Sequence, residues 1–148
     1  MTEYLTLDVR GTPRAQGSMR LHRMANGKVA TRYPPQVWEW RAQVQQVAAE
    51  AMVGREPFLC AVELRLDFDL SRPAGHYGTG RNAAVLRASA PRWPRQSPDL
   101  DKLCRAVCDA LTDAGCWKDD SVVAFLIAAK RYADEVPPGV RITVKDLS

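Results

Sequence analysis

Apolar and polar residues alternate along Tyr4–Arg10, with Leu5, Leu7 and Val9 on one side, which is the period of a half-buried strand. Val62, Leu64, Leu66, Phe68 and Leu70 alternate in the same way with Glu63, Arg65, Asp67 and Asp69. A second half-buried strand is predicted there, with Asp67 and Asp69 as solvent-face residues. Val122–Ala129 is apolar at every position and so reads as a central strand, covered on both faces. Val140–Val144, after the Val136-Pro137-Pro138-Gly139 turn, is expected to complete a hairpin with it.

Two other stretches follow a helical period. Pro34-Pro35 opens a helix running to about Val53, with Val37, Trp40, Val44, Val47 and Ala51 on its apolar stripe and Gly54 as its stop. Leu100, Leu103, Val107 and Leu111 form a second stripe. Ser97-Pro98 is the expected N-cap and first helical position, and Gly115 the residue past the end. Gly11 to Tyr33 is a loop with room for a hairpin at Asn26-Gly27, and Ser71 to Gln96 is a long aperiodic loop. The order β-α-β-α-β-β contains no repeat and no linker. The expectation is one α/β (α+β) domain over residues 1–148, a small mixed sheet flanked by two helices, with basic loops at 11–33 and 71–97.

Composition narrows the class without naming a function. The 148 residues are 46% apolar and 26% charged, which argues against wholesale disorder. The longest apolar run, Val122–Ala129, is too short to cross a bilayer, and MTEYLTLDVRG lacks the basic and apolar regions of a signal peptide. A cytoplasmic location is therefore expected. The four cysteines read as reduced thiols. Cys104 and Cys108 lie one helical turn apart, but without a CxxC or a nearby histidine they read as small buried side chains rather than a zinc site.

The distribution of charge says more than the net +4. Gly11–Trp38 holds Arg14, Arg20, Arg23, Lys28 and Arg32 and no acid, and Ser71–Gln96 holds Arg72, Arg81, Arg87, Arg92 and Arg95 and no acid. Between Asp99 and Asp120 the sign reverses, with Asp99, Asp101, Asp109, Asp113, Asp119 and Asp120 against Lys102, Arg105 and Lys118. Individually, Asp99 can complement a helix N-terminus and Asp119-Asp120 can serve a turn. Two carboxylate pairs bracketed by arginine-rich segments suggest more: hard oxygen ligands for Mg²⁺ or Mn²⁺ beside a polyanion-binding rim. Such a centre activates water and offsets charge on a phosphodiester under attack, so the pattern reads as a nuclease.

Pro98-Asp99-Leu100-Asp101, Leu103, Arg105-Ala106, Asp109-Ala110-Leu111, Ala114-Gly115, Trp117-Lys118-Asp119-Asp120 and Val122 resemble the signature of RusA-type Holliday junction resolvases. Lys130, Gly11-Thr12-Pro13 and Arg72-Pro73 echo it further out. The resemblance implies a Mg²⁺-dependent (or Mn²⁺-dependent) endodeoxyribonuclease that resolves four-way junctions by paired, symmetric nicks. Asp99, Asp101 and Asp120 become the metal-binding catalytic carboxylates, with Asp119 a neighbour. Two positions depart from the family pattern: Lys102 stands where asparagine is usual, and Arg105 where a functional lysine is usual. Arginine keeps the positive charge but is a poor proton donor, so Arg105 is expected to offset phosphate charge, as is Lys130. DNA contacts are expected from Arg14, Arg20, Arg81, Arg92, Arg95, Lys102, Arg105 and Lys130, and Trp93 is a candidate for stacking on an unpaired base. A non-catalytic branched-DNA-binding protein and a related flap or fork nuclease are the rival readings.

Chain geometry adds an expectation about assembly. A helix from Asp101 to Ala114 advances roughly 20 Å, and the few residues from Gly115 to Asp120 barely span that distance at about 3.4 Å each, with nothing left for the turn. A homodimer whose metal sites combine Asp99 and Asp101 of one chain with Asp120 of the other relieves that strain, whereas a later helix start or a bent connection would keep each site within one chain.

Overall fold

The computed structural model describes residues 3–17 and 20–148. Among these residues, six strands and two α-helices follow one another as β1 (Tyr4–Arg10), β2 (Arg20–Arg23), β3 (Val29–Arg32), α1 (Pro35–Ala51), β4 (Val62–Leu70), α2 (Leu100–Asp113), β5 (Val123–Tyr132) and β6 (Gly139–Asp146). A four-stranded sheet has the order β1-β6-β4-β5, and β2-β3 form a separate hairpin closed at Asn26-Gly27. This is the α+β domain expected, with the hairpin added to the predicted order.

Register explains the core. The antiparallel pairings align Leu5–Val144–Leu64, Leu7–Ile142–Leu66 and Val9–Val140–Phe68 as three apolar rows across β1, β6 and β4. All nine side chains are buried, and they share one core with Trp40, Val44 and Ala48 of α1 and Leu103, Val107 and Leu111 of α2. Both helices therefore cover the same face of the sheet. The opposite face carries Asp8, Arg10, Arg65, Asp67, Asp69 and Arg131, laced into ion pairs. Asp67 and Asp69 are thus half-buried pairing partners of arginine, in keeping with their reading as outer-face residues.

Two expectations about strand order are overturned. Val122–Ala129 does not become a central strand. Residues 123–132 form β5, which pairs with β4 alone, in parallel, and lies at the sheet edge. Phe125, Leu126 and Ile127 remain 57%, 51% and 46% exposed. Nor do β5 and β6 form a hairpin, because they flank β4 on opposite sides. β6 matches two antiparallel partners at once and takes the central place, which leaves β5 the outer edge of β4. The connection from β5 to β6 crosses the end of β4, where Ala133 N–H donates to Leu70 O and Pro138 O accepts from Gly11 N–H. A Cβ on Gly139 would sit 2.2 Å from the Val9 carbonyl oxygen, so this crossing requires glycine.

The start of α2 also differs from expectation. Its N-cap is Asp99, not Ser97. Lys130 Nζ donates to the Gln96 and Pro98 carbonyl oxygens, 2.8 Å each, and holds that segment outside the helix. The other end is as predicted: Gly115, at φ +82, reverses the chain, and Cys116 N–H donates to Leu111 O.

Cys104, Cys108 and Cys116 pack as small side chains in or against the core. Burial pushes the Cys104 and Cys116 thiols up to about 11 and the Cys108 thiol up to about 12. At pH 8 iodoacetamide should leave these three unmodified in the native protein and alkylate all four in guanidinium chloride. Peptide mass mapping before and after denaturation checks this, and native labelling of Cys108 would contradict the packing.

Candidate active site

The parallel pairing of β4 with β5 forces a crossover, and that crossover carries the carboxylates. Asp99 caps α2 and Asp101 lies in its first turn, where free backbone N–H groups and the helix dipole favour negative charge. Both side chains are exposed. Asp99 pairs with Lys102 Nζ at 3.1 Å, one turn along. Among the described residues no ion pair engages Asp101 or Asp120, so both carboxylates are free to accept a ligand.

Asp120 stands further along the helix. After Gly115 the chain folds back beside α2, with Trp117 buried and its Nε1 donating to Thr112 Oγ1 at 2.8 Å. Asp120 then opens a short 3-10 turn (Asp120–Val122) packed on α2. Its charge reaches Cys108, whereas that of Asp101 reaches Cys104, one turn earlier. Among the described residues, no three His, Cys, Asp or Glu side chains converge closely enough to hold a metal. Asp119 is occupied locally: its Oδ1 accepts the Ser121 N–H at 2.8 Å, and the bonds from Ser121 hold its carboxyl below the usual range.

The predicted cations divide into anchored and free. Arg105 is exposed on α2, one turn beyond Asp101. Arg14 borders the cavity at the start of α2 together with Asp99 and Lys102. Arg81 and Arg95 are exposed; Arg92 lies 5.7 Å from the Trp93 ring, and Trp93 is half exposed. Arg20 opens β2, but its side chain lies outside the described residues. Lys130 spends two of its three N–H donors on main-chain carbonyls, so its first role is to hold the approach to α2. Arg72, counted among the basic-loop cations, is buried beneath that loop: it forks onto Asp134, donates to Pro91 O and stacks on Tyr132 at 4.1 Å. Its charge is neutralised there, and it serves to pin the loop.

One residue that matters for this architecture escaped the sequence reading. Gln16 is fully buried; its Nε2 donates to Asp109 Oδ2 and Tyr33 Oη, and its backbone N–H donates to Lys102 O at 3.0 Å. These bonds fasten the first basic loop to α2. A glutamine between Ala15 and Gly17 carries no periodic signal that marks it as buried.

The RusA endodeoxyribonuclease family model matches residues 10–145. The chain belongs to the RusA family. Membership makes it an endodeoxyribonuclease, and the match extends over every element from the end of β1 to β6, well beyond the aspartate motifs. No curated protein matches the chain.

Within this RusA-type domain, Gln16→Leu should lower unfolding stability by about 1–3 kcal/mol, because Asp109 and Tyr33 lose a buried donor. Urea unfolding monitored by tryptophan fluorescence measures it, and an unchanged midpoint would show that the network contributes nothing.

Proposed function

We propose that this protein is a divalent-metal-dependent Holliday junction resolvase that acts as a homodimer and makes paired, symmetric nicks. The observation that carries this reading is the set of three exposed carboxylates on one crossover, Asp99, Asp101 and Asp120, with two of them free of protein cations. Such a hard, anionic oxygen set suits Mg²⁺ or Mn²⁺. When bound, the ion supplies Lewis-acid stabilisation and activates the attacking water.

The chain's own residues do the rest. Asp99 and Asp101 project from the N-cap and first turn of α2, so the helix start fixes where their backbone sits before substrate arrives. Arg105, one turn on, presents a permanent cation to a phosphate lying along α2. Lys102 restrains Asp99 and is released to the DNA backbone when that carboxylate finds another partner. Arg14, Arg81, Arg92 and Arg95 meet phosphates on either side, giving a positively charged approach that carries no sequence information.

The exposed edge of β5 supports the dimer. A strand apolar on both faces is suited to a central position, and a second copy covering β5 would provide one. Asp120 immediately precedes that strand. An interface there would bring Asp120 of one chain toward α2 of the other, the arrangement in which a metal site shared between chains would form.

Asp101→Asn should abolish cleavage of a synthetic four-way junction in Mg²⁺ while leaving junction affinity equal or tighter, since a charge that repels phosphate is removed. Cleavage assays and anisotropy on junction, fork and linear duplex measure both. Retention of more than a small fraction of cutting would exclude Asp101 from the site, and cutting of forks in preference to junctions would reassign the substrate.

Mixing Asp101→Asn with Asp120→Asn protein should restore nicking after subunit exchange, because one site of each heterodimer then has all three carboxylates. If verified heterodimers stay inactive, each site lies within one chain.

A further inference from the structure

A cavity of about 460 Å³ opens at the start of α2, between the first basic loop, the end of β4 and the Ser97–Asp99 segment. It lies within the size range of small-ligand sites, roughly 300–1,000 Å³. Its wall is mixed in a particular way. Pro13, Leu70 and Pro98 give an apolar surface, and Ser71 and Ser97 stand beside it with hydroxyls. Arg14 and Lys102 supply positive charge, and Asp99 belongs to both the cavity and the carboxylate set.

Two of the cavity's walls are braced. The Gln16 N–H to Lys102 O bond ties the first basic loop to α2, and Lys130 holds the Gln96 and Pro98 carbonyls. The depression therefore exists before any ligand arrives.

We propose that this cavity receives one nucleotide of the DNA strand, swung out of its stack next to the phosphodiester being cut. This rests on the junction-nuclease reading and names what its site holds beside the reacting bond. The chemistry matches part by part. A base has two apolar faces to lay against proline and leucine, and polar edges that hydroxyls can meet. Its flanking phosphate is an anion, which Arg14 and Lys102 attract. Because Asp99 is shared, an occupant sits next to whatever the carboxylates act on. A base still paired within a duplex cannot enter such a pocket. Extruding one costs the pairing and stacking it gives up, least where these are already interrupted, as at a branch point. The cavity thus favours branched DNA over a linear duplex and fixes which bond is presented.

The test uses a four-way junction carrying 2-aminopurine at single positions on either side of the branch point, bound to the full-length protein in EDTA so that no cutting occurs. Unstacking brightens this base. At one position fluorescence should rise several-fold on binding, and it should not rise when 2-aminopurine lies in a linear duplex. Ser71→Phe, which fills the cavity from its exposed edge, should remove the brightening and slow Mg²⁺-dependent cleavage at least tenfold, with anisotropy showing junction affinity within threefold of the unaltered protein. Binding by anisotropy with no brightening at any position overturns the proposal and leaves the nuclease reading intact. Ser71→Phe protein that cuts at the original rate also overturns it. Failure to bind the junction at all would overturn both.

Discussion

Parallel pairing between β4 and β5 is the constraint on which the rest of this molecule depends. Antiparallel neighbours can be joined by a short turn, but a parallel pair obliges the chain to travel back along the sheet before the second strand begins. Here the return consists of the second basic loop and α2. The loop, the helix and the turn after Gly115 together contain all three proposed metal-binding aspartates and much of the free positive charge. The apolar rows shared by β1, β6 and β4 anchor one side of the crossover, and packing of α2 on that face directs its N-terminus to the end of β4.

Electrostatic division of labour follows from the same layout. Cations fall into those spent on the fold and those left for a partner. Arg72 and Lys130 are spent: one pins the second basic loop from below, and the other holds the carbonyls that precede α2. Arg10, Arg65 and Arg131 neutralise aspartates on the open face of the sheet. Arg14, Arg81, Arg95 and Arg105 remain exposed, distributed over both loops and α2. A polyanion thus meets a surface whose positive charge is carried mainly by arginine, on a scaffold already stiffened by other arginines.

Asp120 and the sheet edge meet in one place. Asp120 ends the return from α2 and β5 begins three residues later, so the position of that carboxylate and the state of the exposed strand are physically linked. A residue such as Leu126, half exposed on the helix side, and Phe125 and Ile127 on the other are left uncovered because, among the described residues, β5 is the edge strand of its sheet.

Local periodicity in the sequence was enough to determine β1, β4, both helices and the glycine reversal at Gly115, because alternation and helical spacing depend only on neighbours in the chain. The aspartate motifs, and through them the RusA resemblance, were equally legible, since their spacing is local. Strand order was not. Val122–Ala129 has the composition of a central strand, but whether a strand lies inside or at an edge depends on which others claim its neighbour, and β6 claimed the inner side of β4. The same reason hid the roles of Gln16, Arg72 and Lys130. Each acts on a residue far away in the chain, Asp109, Asp134 and Pro98, and such pairings exist only once the sheet and its crossover have brought distant segments together.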